Sequence, residues 1–135
     1  MADIRPVNAG FAVAPQIEVA DLPDIAAHGY RLVINNRPDH EAEGQPTSDE
    51  MGMAAEAAGL DYVHIAVRGG PTREQAEAMK AAMDAADGAV LAFCRSGTRS
   101  IITWAVGQAM AGFPKDELIA EGRAAGYDLS GVLGG

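Results

Sequence analysis

The sequence predicts an α/β fold built on a central, mostly parallel sheet of four to five strands that is flanked by helices. Short apolar runs bounded by Gly, Pro, Asn and Asp alternate with longer helical patterns, and two of those patterns open on capping boxes. Alternating strands and helices are typical of a parallel sheet covered on both faces, in which ligands bind beyond the carboxyl ends of the strands. A length of 135 residues predicts a single domain, 1–135.

The predicted elements follow one another without long linkers. A first helix begins near Asp21, has Pro23 in its first turn and ends before Gly29. Capping boxes at Thr47 and Thr72 open the next two helices. Predicted strands cover 11–14, 30–35, 62–67 and 89–93, a fourth helix runs to Met110, a fifth covers 116–125, and the tail 129–135 is expected to be loosely held.

Composition excludes several classes of function. The net charge of -9 argues against a nucleic-acid partner and against an anionic membrane surface, and no run of about 18 apolar residues predicts a membrane span. The first residues lack the apolar core of a signal peptide. A single cysteine excludes an intramolecular disulfide and suits a reducing compartment, so we expect a cytoplasmic location.

The strongest chemical signal is the segment Cys94-Arg95-Ser96-Gly97-Thr98-Arg99-Ser100, between the last predicted strand and the fourth helix. A helix N-terminus presents unpaired N–H groups and partial positive charge, and a loop curled around the same point aims further N–H groups at one anion. This setting stabilises a thiolate, provided that solvent reaches it. We therefore expect Cys94 to be a nucleophile and Arg99 to bind the anion, with Arg95, Ser96, Gly97, Thr98 and Ser100 in the anion-binding loop.

Further cationic side chains follow other predicted strands. Arg37 and Arg68 lie just beyond the ends of two strands, so the same sheet edge should gather them near Cys94. Arg37 either contacts substrate or pairs with a nearby carboxylate. The partner expected at this edge is a small anion. The acidic segment Asp39-His40-Glu41-Ala42-Glu43 indicates a solvated loop that does not hold its side chains in a fixed ligand geometry. We therefore expect no metal ion here, and we expect no other cofactor.

The motifs resemble the phosphatase-like domain family of beta-lactamase hydrolase-like proteins, whose members are also labelled sulfur transferases. The resemblance covers about Phe11 to Phe113 and rests on the Cys94–Ser100 segment, supported by 33–39, Gln45-Pro46 and His64-Ile65. It implies a fold like that of cysteine-dependent, dual-specificity phosphatases. Some family members are fused to metallo-hydrolase domains that handle sulfur compounds, and this sequence carries no such domain.

Two departures from the phosphatase pattern favour sulfur chemistry. Phe93 stands where the phosphatases have His, and Arg99 follows Cys94 in a Cys-x4-Arg loop of rhodanese length, one residue shorter than the phosphatase loop. The segment 68–72 offers no carboxylate to protonate a leaving alkoxide, although Asp39, His40, Glu41 or Glu43 could substitute.

The first hypothesis is a sulfurtransferase that carries sulfur as a Cys94 persulfide, taken from thiosulfate or a persulfide and passed to an external thiol acceptor. The second is a cysteine-dependent phosphatase acting on a phosphate ester through a phosphocysteine, with Asp39 or Glu43 as the acid. The third is a non-catalytic anion-binding or thiol-sensing module.

Overall fold

The computed structural model describes residues 2–134 and contains a five-stranded mixed sheet flanked by helices, as expected from the sequence. The strands lie in the order β1-β2-β5-β3-β4. Their bounds are Arg5–Asn8 (β1), Phe11–Ala14 (β2), Tyr30–Asn35 (β3), Asp61–His64 (β4) and Ala89–Phe93 (β5). The helices are Leu22–Ala27 (α1), Ser48–Ala57 (α2), Arg73–Ala85 (α3), Thr98–Met110 (α4) and Lys115–Ala124 (α5), and a 3-10 turn at Val19–Asp21 precedes α1.

The parallel pairing brings the carboxyl ends of the inner strands to one edge. Ala14 of β2 and Asn35 of β3 both lie opposite Phe93 of β5. The loops that follow β2, β3 and β5 therefore leave the sheet side by side, and β5 occupies the centre. This register places Cys94, the residue after β5, at the middle of the sheet edge.

Strand β1 is the element that the sequence analysis missed. It pairs antiparallel with β2 across a tight turn, and only Val7 of its four residues is buried. A short edge strand that contains Pro6 has too few buried side chains to give a period-two pattern. Strand β4 ends at His64 rather than at residue 67, although the backbone N–H groups of Ile65 and Val67 still donate to the ends of β3 and its loop, at 2.9 Å each.

Apolar side chains fill both faces of the sheet. On one face, helices α3, α4 and α5 pack on the sheet, and this cluster includes Ile34, Met79 and Trp104. On the other face, α1 and α2 pack on the sheet, and this cluster includes Leu91, Phe93 and Met51. Burial on both faces explains the nearly continuous apolar runs of the inner strands. The chain end was expected to be loosely held, but Leu129 and Leu133 are 1% and 4% exposed and belong to the first cluster.

The capping signals fix two helix starts as predicted. The Thr47 and Thr72 side chains each accept a hydrogen bond from the backbone N–H three residues later in the chain. The side chains of those later residues, Glu50 and Gln75, accept in turn from the threonine backbone N–H groups. Asp21 makes no such cap for α1, because its carboxylate accepts from the Glu18 N–H at 2.8 Å instead. Among residues 2–134, none of the helices has the length and hydropathy needed to cross a lipid bilayer.

Candidate active site

The loop between β5 and α4 curls around the Cys94 side chain. The Gly97 backbone N–H donates to Cys94 Sγ at 3.1 Å. Gly97 has a left-handed φ of 88°, which permits the turn into α4 without the penalty that a Cβ would bring. The sulfur thus lies at the N-terminus of a 13-residue helix, accepts a backbone hydrogen bond and faces the positive end of the helix dipole.

The thiol is less accessible than the sequence analysis required. Cys94 is 0% exposed, whereas its loop neighbours Arg95, Ser96 and Thr98 are exposed. The sulfur therefore lies directly beneath the surface and is closed off in this conformation. A reagent or substrate can reach it only if groups that cover the loop move.

Arg99, in the first turn of α4, forms an ion pair with Glu41. Arg99 Nη1 and Nη2 donate to the two Glu41 carboxylate oxygens, each at 2.8 Å, and Nη1 also donates to the Val67 carbonyl at 2.9 Å. The Arg99 hydrogen bonds, together with one from Arg37, hold the pKa of Glu41 down at about 2. Glu41 is therefore a carboxylate here, and it occupies the bidentate position that an oxyanion would take on Arg99.

Arg37 pairs with the same carboxylate instead of facing solvent. Its side chain is 6% exposed, and its Nε donates to Glu41 Oε1 at 2.9 Å. Its Nη1 donates to the Gln16 side chain at 3.0 Å. Of the two roles that the sequence left open for Arg37, the structure thus shows the pairing with a carboxylate. Two guanidinium groups and one carboxylate form a charged cluster beside the Cys94 loop.

The remaining predicted site residues divide into those in the loop and those outside it. The Ser96 and Thr98 hydroxyls hydrogen-bond each other at 3.0 Å, and Ser100 is buried with no partner for its hydroxyl among the described residues. Arg95 and Arg68 are exposed, and no hydrogen bond is described for either side chain.

The two candidate acids also differ in their surroundings. Asp39 Oδ1 accepts the Ser48 backbone N–H at 2.8 Å, so this carboxylate caps the start of α2. Glu43 lies on the exposed part of the same loop. Within residues 2–134, no three His, Cys, Asp or Glu side chains are placed to hold a metal ion.

Two residues that contact the site were not predicted. Tyr127 donates its hydroxyl to the Ser96 carbonyl at 2.8 Å, and Gln16 connects to the site through Arg37 and through its own N–H, which donates to the Arg95 carbonyl at 3.2 Å. Neither residue carries a motif, and both reach the loop only through tertiary packing. His64, the last residue of β4, is exposed, and its Nε2 lies 2.8 Å from the Arg37 carbonyl.

The family match and the similar curated proteins carry the same description. Residues 3–111 match the family described as beta-lactamase hydrolase-like protein, phosphatase-like domain. Beta-lactamase hydrolase-like proteins of Agrobacterium fabrum and Xylella fastidiosa are 37% and 36% identical over 126 and 125 residues, which is 91% of this chain in each case. The chain spans only 29% of the length of these relatives.

Solved structures agree on the architecture. A candidate phosphatase from Neisseria meningitidis is 33% identical, superposes with a TM-score of 0.83, and is matched over 95% of this chain and 92% of its own. The phosphatase Tk-PTP in its active form superposes with a TM-score of 0.70 over 97% of this chain and 93% of its own, at 18% identity, which shows a shared fold. The chain therefore belongs to the phosphatase-like domain family of beta-lactamase hydrolase-like proteins and has a cysteine-phosphatase-like fold.

Proposed function

We propose that this domain is a cysteine-dependent phosphatase that hydrolyses a small phosphate ester through a phosphocysteine on Cys94. The observation that carries the proposal is the hydrogen bond from the Gly97 N–H to Cys94 Sγ at the N-terminus of α4, with Arg99 in the first turn of that helix. A thiolate nucleophile, a backbone anion cradle and a forked cation are the groups that phosphoryl transfer requires. The phosphatase-like family supports this choice over the other cysteine chemistries.

The reaction takes place in two displacements. Cys94 Sγ attacks phosphorus, so that a P–S bond forms while the P–O bond to the alcohol breaks and its electron pair leaves with oxygen. Water then attacks the phosphocysteine: a new P–O bond forms, the P–S bond breaks with its electron pair on sulfur, and the water gives up a proton to the carboxylate that served as the acid or to solvent. This step releases inorganic phosphate and regenerates the thiolate. Loop N–H groups and Arg99 stabilise the charge on the phosphoryl oxygens in both steps.

Substrate binding requires the site to open, because Cys94 is buried and Glu41 occupies Arg99. A phosphate dianion can replace the Glu41 carboxylate on Arg99 with the same bidentate geometry and more charge. Arg99 keeps its bond to the Val67 carbonyl during this exchange, so its guanidinium stays near the loop. In the proposed opening step, the phosphate of the substrate thus displaces the Glu41 carboxylate from Arg99.

The leaving group needs a proton unless it is a weakly basic alcohol such as a phenol. With a pKa of about 2, Glu41 is not a proton donor in the closed conformation. Asp39 and Glu43 of the same loop are the candidate acids, and Glu43 is the more exposed of the two. Aryl phosphates, which do not depend on this acid, are therefore the first substrates to test.

The test is hydrolysis of p-nitrophenyl phosphate together with intact-mass detection of phosphocysteine in the single-cysteine chain. The proposal predicts turnover by the native protein, none by Cys94→Ser, and full turnover by the control Ser130→Ala near the chain end. Absence of both turnover and the phosphoryl adduct would refute it. So would failure of iodoacetamide to alkylate Cys94 in the folded protein, because the site must open.

Sulfur transfer is the second candidate, favoured by the short Cys-x4-Arg loop and by the ionised state of Glu41. In that reaction Cys94 attacks the outer sulfur of thiosulfate; the new S–S bond forms as the S–S bond to the sulfonate breaks, and sulfite leaves with the electron pair. No proton donor is needed, because sulfite is a good leaving group. An external thiolate must then remove the sulfur, since the chain has one cysteine.

Intact mass after incubation with thiosulfate separates the candidates. Gain of one sulfur atom on Cys94, with formation of thiocyanate on addition of cyanide, supports sulfur transfer. Gain of a phosphoryl group from the aryl phosphate supports the phosphatase. Tight binding of phosphate or sulfate with neither adduct supports the non-catalytic anion-binding module.

A further inference from the structure

A hydrogen-bonded chain leads from the N-terminal strand to the nucleophile. Asp3 Oδ2 accepts from Arg5 Nη2 at 2.7 Å, and Arg5 Nη1 donates to the Tyr127 hydroxyl at 3.3 Å. The Arg5 guanidinium also lies 5.4 Å from the centre of the Tyr127 ring. Because Arg is only a donor, the Tyr127 oxygen accepts from it and directs its own hydrogen to the Ser96 carbonyl, 2.8 Å away.

That contact acts on the peptide unit that faces the sulfur. The carbonyl of Ser96 and the N–H of Gly97 belong to one planar trans peptide, so they point in opposite directions. Tyr127 holds the carbonyl on one side, and Cys94 Sγ accepts the N–H at 3.1 Å on the other. A rotation of this peptide would break both hydrogen bonds and turn the carbonyl oxygen towards the sulfur, where it would repel a thiolate.

Tyr127 remains a donor over the physiological range, because burial raises the pKa of its hydroxyl. It also lies beyond residues 3–111, the part of the chain that the family match covers. A Cβ on Gly97 would collide with the Tyr127 hydroxyl, which shows how closely the two residues approach. The tyrosine therefore constrains the loop from a segment outside the matched region.

We infer that Tyr127 is a positioning residue that fixes the Ser96–Gly97 peptide with its N–H towards Cys94 and so maintains the thiolate. Arg5 supports it by fixing the orientation of the hydroxyl. The inference rests on the proposed function only in taking Cys94 as the nucleophile. It applies equally to phosphoryl transfer and to sulfur transfer, because both begin with the thiolate.

The test is the pH dependence of Cys94 alkylation by iodoacetamide in Tyr127→Phe, which removes the hydroxyl and keeps the ring. Ultraviolet absorbance of the thiolate, corrected with Cys94→Ser, gives an independent titration of the single cysteine. We expect the midpoint to move to higher pH by about one unit, equivalent to a roughly tenfold loss of thiolate at a fixed pH below it. A purely structural tyrosine would change thermal stability without moving this midpoint.

Tyr30→Phe is the matched control. Tyr30 is also partly buried, but it begins β3 opposite Ala89, five residues before Cys94 and about 16 Å along the sheet. Its substitution is expected to leave the midpoint unchanged. Arg5→Lys keeps the positive charge and removes the guanidinium, so it should give a smaller shift in the same direction, and it serves as the second variant if Tyr127→Phe does not fold.

The outcomes separate this inference from the proposed function. An unchanged midpoint in a folded Tyr127→Phe, or in Arg5→Lys if only that variant folds, would overturn the inference even if the native protein hydrolyses phosphate esters. A shifted midpoint in a protein that turns over neither phosphate ester nor thiosulfate would support the inference while the proposed function fails.

Discussion

Arg99 and Glu41 form a bidentate ion pair that joins the first turn of α4 to the loop after β3, 58 residues away in sequence, with both N–O distances at 2.8 Å. The same carboxylate accepts from Arg37, which is buried. Glu41 thus provides the negative charge that two arginines need while no anion is bound. Because a carboxylate and a phosphate present similar oxygen pairs to a guanidinium, the proposed substrate would take the position on Arg99 that Glu41 holds.

Removing this charge should strengthen anion binding. In Glu41→Gln, Arg99 keeps its hydrogen bond to the Val67 carbonyl and no longer has a competing carboxylate. We expect the affinity for inorganic phosphate to rise roughly tenfold, about 1.4 kcal/mol, measured by calorimetry. Glu56→Gln, an exposed change on α2, makes the same change in net charge and should have little effect. Weaker phosphate binding in Glu41→Gln would mean that Glu41 organises the arginines instead of competing with substrate.

The ion pair also predicts a dependence of stability on acid. The pKa of Glu41 falls from an ordinary 4.5 to about 2 in the folded protein, so the folded state favours the carboxylate. Its contribution to stability is therefore complete above about pH 4.5 and is lost as the pH falls towards 2. The difference in Tm between native protein and Glu41→Gln, followed by circular dichroism, should shrink over this interval. If this difference in Tm stays constant from pH 5 down to the lowest pH at which the protein folds, Glu41 does not have the lowered pKa that the ion pair predicts.

Gly97 should be irreplaceable for two separate reasons, and a second glycine separates them. Gly97→Ala places a Cβ at a φ of 88° and against the Tyr127 hydroxyl, whereas Gly112→Ala has a similar φ of 97° and open space around the Cβ. Left-handed strain of about 1–3 kcal/mol predicts a lower Tm in both variants. Only Gly97→Ala should also slow Cys94 alkylation at neutral pH. Equal alkylation rates in the two variants would show that the Tyr127 contact is unimportant.

The forked geometry of Arg99 should matter beyond its charge. Arg99→Lys keeps the cation but cannot donate two parallel hydrogen bonds to one oxyanion. If the proposed phosphatase reaction occurs, kcat/KM for p-nitrophenyl phosphate should fall by roughly 10²-fold or more. Arg73→Lys is the control, because Arg73 is 77% exposed on α3 and distant in sequence from the loop. A fall in kcat/KM of less than threefold in Arg99→Lys would show that Arg99 does not take part in the reaction.

The local signals in the sequence were sufficient for most of the fold. Capping boxes at Thr47 and Thr72 and the apolar runs of β3 and β5 depend on neighbours in sequence, so they could be read directly. Strand β1 and the burial of the tail that begins at Leu129 could not be predicted from the sequence, because both depend on packing against residues distant in the chain. Val7 and Leu133 join the same core cluster although neither segment has a clear apolar period.

For the candidate site, the sequence by itself determined the local arrangement: one cysteine after a central strand, a glycine that permits the turn, and an arginine in the first turn of a helix. These residues are adjacent, and backbone geometry alone brings Gly97 to Cys94. Tertiary structure alone decided that Glu41 holds Arg99, that Arg37 is buried, that Tyr127 fixes the Ser96 carbonyl and that the thiol is covered. Those contacts join residues up to 58 positions apart for the ion pair and 31 for the tyrosine. Their partners are selected by three-dimensional proximity and charge, which the order of residues along the chain does not encode locally.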